Sequence, residues 1–130
     1  MSRSTTRDLL IVACAVSAGV HAALVPEHLD ESTAAGGGFV IATLLLGTLC
    51  LELTVRPATR VVLAAAALTL AGLLVGYALA VTSGMPVLMP EPEPIDGLAL
   101  ATKAVELVGL FSALALVAPL SHTRHEGATA

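Results

Sequence analysis

The 130-residue sequence has no Trp, Asn or Gln, one Tyr and two Phe. With so few aromatics, no belt of Trp and Tyr can mark where membrane interfaces fall. Charged residues make up only 12 % of the chain, about half of the roughly 25 % typical of a soluble domain. No cluster of Lys and Arg is present, which excludes a basic nucleic-acid-binding face. The two cysteines, Cys14 and Cys50, form no Cys-x-x-Cys pair. They fall in the half of the chain's spans expected to face a reducing compartment, where Cys serves as a buried apolar residue. No nucleophile, base and orienting group occur together, so no catalytic residue is assigned and a non-enzymatic protein is expected.

What the chain does have is apolar sequence in long blocks. Hydrophobic residues are 56 % of the total, and they gather into four stretches at about 9–25, 34–55, 61–82 and 98–118. About 20 helical residues cross a hydrocarbon core of about 30 Å. The blocks lack strand-like alternation, and only helices satisfy their own backbone groups in lipid. The fold expected is therefore all-α: a polytopic four-transmembrane-helix bundle forming one domain over 1–121, with a short tail at 122–130. The first block follows Arg3 and Arg7 and carries Val20-His21-Ala22, features shared with a cleaved leader. It is read here as a retained helix ending at Pro26. Ala, Leu, Val and Gly dominate in the manner of GC-rich coding and say little about function.

The charges orient the bundle. Arg3, Arg7, Arg56, Arg60 and Arg124 alternate with two connections, 26–33 and 83–97, that hold no Lys or Arg. The positive-inside rule then places both termini and the Arg56/Arg60 turn in the cytoplasm, and loops 26–33 and 83–97 outside.

Polar residues within the spans are the candidate functional groups, because ionisable side chains in lipid are costly. Glu52 lies one turn before Arg56 and needs only an interfacial ion pair to explain it. Lys103 and Glu106 share a face of the fourth span and either neutralise each other or form a site for a proton, cation or polar ligand. His21, Tyr77, Lys103 and Glu106 fall at one depth, in the outer third of the bundle. Above them lie His28, Asp30, Glu31, Met85 and Met89. His21, His28, Glu31, Met85 and Met89 make a partial ligand set for a transition metal such as copper or zinc, since imidazole suits both and thioether favours Cu(I). The competing reading leaves the loop groups solvated. Gly72, Gly76, Ala80 and Gly84 recur at intervals of four and predict close helix packing, within the bundle or against a second copy or partner subunit. Ala15-Gly19-Ala23 and Gly109-Ala113 repeat the spacing. The prolines at 86, 90, 92 and 94 favour an extended strap.

The run from His21 through Pro26, His28 and Glu31 to Gly38-Phe39 resembles a pattern in small four-helix integral membrane proteins of GC-rich bacteria. So do Gly84-Met85-Pro86 and the run Thr102-Lys103-Ala104-Val105-Glu106. The resemblance covers most of the chain and implies residence in a bacterial cytoplasmic membrane, but no activity is known for the group. Expected partners are the lipid bilayer and either another membrane protein or a second copy of the chain. The leading expectation is an accessory subunit or structural bundle with a polar layer at its extracytoplasmic end. The alternative is metal handling or ion coupling through His21, His28, Glu31 and Glu106.

Overall fold

The computed structural model describes residues 1–85 and 91–118 and forms four helices: α1 Arg3–Glu31, α2 Thr33–Val55, α3 Arg60–Thr82 and α4 Gly97–Val117. All four are long and apolar enough to cross a membrane, and α2, α3 and α4 begin and end within one residue of the expected spans. The architecture is an all-α four-helix bundle. The expected tail at 122–130 lies outside the described residues.

Each helix begins on a side-chain oxygen that accepts from the N3 backbone N–H. Ser2 accepts from Thr5 at 3.1 Å, Ser32 from Ala35 at 2.9 Å, Thr59 from Val62 at 3.3 Å and Asp96 from Ala99 at 2.8 Å. Such caps satisfy donors that the helix leaves without partners, a requirement sharpened near lipid.

The first helix departs from expectation. It does not stop at Pro26 but continues through it to Glu31, so residues 26–31, expected in a loop, are helical. Proline removes one backbone donor and crowds the carbonyl four residues back. The turn beyond it is held nonetheless. His28 Nδ1 donates to the Leu24 carbonyl at 2.9 Å, and the Ser32 N–H donates to the His28 carbonyl at 3.0 Å. Ser32 ends α1 and caps α2 at once, in an extended conformation. This one-residue joint forces the helices together. A Cβ on Gly36 would sit 2.8 Å from the Leu29 Cα, so only glycine fits there.

Helix α1 packs along both α2 and α4, α4 also packs on α3, and α2 and α3 touch least. The bundle accordingly has two unlike halves. At the end carrying the N-terminus and the α2–α3 turn, Leu10, Cys14, Leu46, Leu53, Leu63, Ala66, Leu70 and Ala113 form a closed apolar core. Arginines fasten this end: Arg3 donates to the Leu116 carbonyl at 3.1 Å, and Arg7 to Leu53 at 2.9 Å and Arg56 at 2.9 Å. They neutralise the C-terminal carbonyls and dipoles of α4 and α2. Glu52 and Arg56 pair at 3.2 Å, as their spacing predicts.

The other half, at the Ser32 end, is hollow. A cavity of about 430 Å³ lies among the four helices and the chain between α3 and α4. Two members of the expected packing stripe on α3, Gly72 and Gly76, face this space and do not pack within the bundle. A Cβ on Gly72 or Gly76 would meet nothing within 4 Å, and both glycines line the cavity. Ala80 is buried, while Gly84 lies beyond α3 with φ 68°, a turn conformation suited to glycine. Interval-of-four spacing does not say which face of a helix it marks, and here it marks the face from which α2 diverges. The α1 stripe is also open at Gly19, whereas the α4 stripe does pack. A Cβ on Gly109 would lie 2.8 Å from Ala13 Cβ and 3.0 Å from Leu70 Cδ1.

The outer surface is the apolar one. Leu44, Val61, Leu68 and Phe111 are among the most exposed large apolar side chains, while Ser17, His21, Thr102, Glu106 and Ser112 are buried. A surface of this kind matches lipid, not water.

Candidate functional site

Glu106 is fully buried, and both its oxygens are occupied. Ser17 Oγ on α1 donates to Oε1 at 2.7 Å, and Lys103 Nζ, one turn earlier on α4, donates to Oε2 at 2.7 Å. Breaking such a pair on one side leaves an uncompensated charge in a low-dielectric interior. Neither Ser17 nor Glu106 lines the cavity; Lys103 does. The carboxylate therefore acts as an anchor that holds the ammonium at the cavity wall. Ser17, also fully buried, is committed to Glu106 and does not line the cavity.

The Lys103 ammonium keeps two further N–H donors. It sits 5.4 Å from the centre of the Tyr77 ring, within range of an attractive cation–π contact. The Tyr77 hydroxyl is enclosed and has no hydrogen-bond partner among the described residues. Buried hydroxyls normally find one, and an orphan group asks for an explanation. Tyr77 and Lys103 both line the cavity.

His21 adds an acceptor. Its Nδ1 donates to the Ser17 carbonyl at 2.8 Å. A carbonyl cannot donate, so Nδ1 carries the proton, and in the neutral ring Nε2 is left as an acceptor. His28 repeats the arrangement two turns later, with Nδ1 on the Leu24 carbonyl. Phe39 of α2 packs between the two imidazoles, stacked on His28 with ring centres 3.8 Å apart and tilted against His21 at 5.3 Å. Apolar walls from Val20, Leu24, Ala42 and Leu73 complete the cavity.

The expected polar layer thus comes together, with corrections. His21 and Glu106 are joined through Ser17 and not directly. Ser17 was not anticipated: a serine within an apolar helix carries no charge to draw notice, though it lies one turn from His21. The expected metal set comes together only in part among the described residues. The cluster that forms is His28, Glu31 and Glu93, with one ligand atom from each all within 4.8 Å of one another. His21 is committed to the deeper network, Met85 lines the cavity outside this cluster, and Met89 lies outside the described residues. Glu93 enters because its backbone N–H donates to the Ala80 carbonyl at 3.0 Å, folding the connection over the end of α3.

A shaped, largely apolar cavity with a few placed polar groups is the usual form of a small-molecule site. Comparison with protein-family models, curated proteins and solved structures returns no match, so the meaning of the site rests on its geometry.

Proposed function

We propose that this chain is a non-enzymatic membrane protein that binds a small amphiphile at the extracytoplasmic end of its bundle. The observation that carries the reading is the Tyr77 ring beside Lys103 in a cavity of about 430 Å³, its enclosed hydroxyl without a hydrogen-bond partner among the described residues. The ligand has a compact head that accepts hydrogen bonds, a carbonyl or carboxylate, and an apolar body. The head meets Tyr77 and Lys103, while Phe39 and the aliphatic walls receive the body. A bundle serving only as a structural element has no use for a hollow half, because lipid-facing helices gain their stability from close packing.

The arginine-bearing end of the bundle lies in the cytoplasm of a bacterial cell and the Ser32 end lies outside. This orientation rests on the alternation of Arg3, Arg7, Arg56 and Arg60 with acidic connections. The resemblance to small membrane proteins of GC-rich bacteria supports the cytoplasmic membrane as the site of residence. An accessory role fits the same geometry, since an amphiphile held at the outer surface can be passed to a neighbouring membrane protein.

The test is cysteine accessibility in intact cells. Gly76→Cys, in a chain carrying Cys14→Ala and Cys50→Ala, places a thiol in the open cavity. A membrane-impermeant maleimide added outside labels it, and Thr54→Cys near the arginine end stays unlabelled until the cells are opened. Labelling of Thr54→Cys alone from outside contradicts the orientation, and failure to label Gly76→Cys from either side contradicts an accessible cavity.

A further inference from the structure

We infer that His28, Glu31 and Glu93 form a site for a divalent transition cation of the zinc type at the mouth of the cavity. This goes beyond the amphiphile reading and does not depend on it, since none of the three residues belongs to the Tyr77–Lys103 anchor.

The site is built around a prepared imidazole. His28 is only 8 % exposed. Its Nδ1 proton is spent on the Leu24 carbonyl, and stacking on Phe39 fixes the ring plane. A metal-binding histidine commonly has this form: one nitrogen donating to a carbonyl, the other free to ligate. Nε2 makes no hydrogen bond among the described residues. Glu93 Oε1 stands 3.8 Å away, beyond hydrogen-bond reach.

Two carboxylates converge on that nitrogen. Glu31 follows His28 by three residues, which puts both on one face of α1. Glu93 arrives from the connection, pinned by its backbone bond to Ala80. The three ligand atoms lie within 4.8 Å of one another. Around zinc, with bonds of about 2.0–2.1 Å, tetrahedral ligands stand about 3.3 Å apart. The two Glu side chains have rotatable arms, and a small inward turn closes the difference. One neutral imidazole and two carboxylates carry a charge of −2, which a divalent cation cancels. Without it, two like charges are held together beside a buried ring.

The donor set selects the metal. Its imidazole favours zinc and its neighbours over magnesium or calcium. Three protein ligands leave a fourth position open. The cation would tie the last turn of α1 to the connection between α3 and α4, drawing the mouth of the cavity together.

Isothermal titration of the full-length, detergent-purified protein with ZnCl2, after EDTA stripping and dialysis, tests the inference. One zinc per chain is expected, with a rise in melting temperature. His28→Ala and Glu93→Gln each weaken binding at least tenfold, while Asp30→Asn, one residue from Glu31 and outside the cluster, leaves it unchanged. Circular dichroism identifies any variant that has lost its helices. Glu93→Gln alters no helix, so it carries the test if His28→Ala does not fold. No saturable zinc uptake overturns the inference. So does uptake that both His28→Ala and Glu93→Gln retain, or tighter binding of Mg2+ or Ca2+ than of Zn2+.

Discussion

Lys103 Nζ and Glu106 Oε2 stand 2.7 Å apart inside the bundle, yet only the lysine reaches the cavity wall. The pair is therefore asymmetric: the carboxylate is structural, and the ammonium is presented. Glu106→Gln leaves Lys103 without its counter-charge and is expected to destabilise the protein by about 3–5 kcal/mol, the cost of breaking a buried pair on one side. Adding Lys103→Met removes the stranded charge and recovers most of that loss. Unfolding in mixed micelles, run as a double-mutant cycle, reads both outcomes. Equal and additive losses would show that the two side chains do not act as a pair.

Tyr77→Phe separates stability from binding. The hydroxyl has no partner among the described residues, so removing it from the empty protein relieves a desolvated group worth about 1–3 kcal/mol. Thermal melting of ligand-stripped protein is expected to show no loss or a small gain. The same substitution weakens a bound amphiphile about tenfold, the equivalent of one hydrogen bond of about 1.4 kcal/mol.

The one-residue joint at Ser32 predicts a sharp contrast among neighbouring glycines. Gly36→Ala forces a Cβ against the Leu29 backbone at 2.8 Å, whereas a Cβ on Gly37 or Gly38 meets nothing within 4 Å. Gly36→Ala should cost about 1–3 kcal/mol through overpacking, and Gly37→Ala should be neutral or slightly stabilising. Melting temperatures of the two variants check the contrast.

Arg7 and Arg56 differ in the same way. Arg7 crosses from α1 to the carbonyls of Leu53 and Arg56 at the end of α2, and Arg7→Ala is expected to cost about 1.5–3 kcal/mol, the range for hydrogen bonds from a charged group. The side chain of Arg56 is 71 % exposed where it meets Glu52, and Arg56→Ala should fall below about 1 kcal/mol. Unfolding in mixed micelles ranks the two variants.

The sequence revealed the parts of this molecule that depend on composition and failed where they depend on direction. Apolar block length is enough to locate α2, α3 and α4 within one residue. Pro26 misled because a proline reads as a stop, whereas the bonds from His28 to Leu24 and from Ser32 to His28, each one helical turn long, carry α1 on to Glu31. Lys103 and Glu106 were legible as a pair from their spacing alone. Ser17 was not, because its partner lies on another helix. The glycine stripe at 72 and 76 was visible as a pattern, but its face could not be read, and it borders a cavity where packing was expected. Glu93 joins His28 only because the connection folds back onto Ala80, a path that no local signal in a proline-rich strap announces.

The central claim is that the hollow half holds a ligand, and filling the hollow tests it most directly. Gly76→Leu places a side chain where a Cβ meets nothing within 4 Å, so the protein keeps its fold while the cavity closes. Native mass spectrometry of the protein released gently from membranes is expected to show a one-to-one small-molecule adduct in the wild type and none in Gly76→Leu. An adduct of equal abundance in the filled variant, or none in the wild type, would contradict the account.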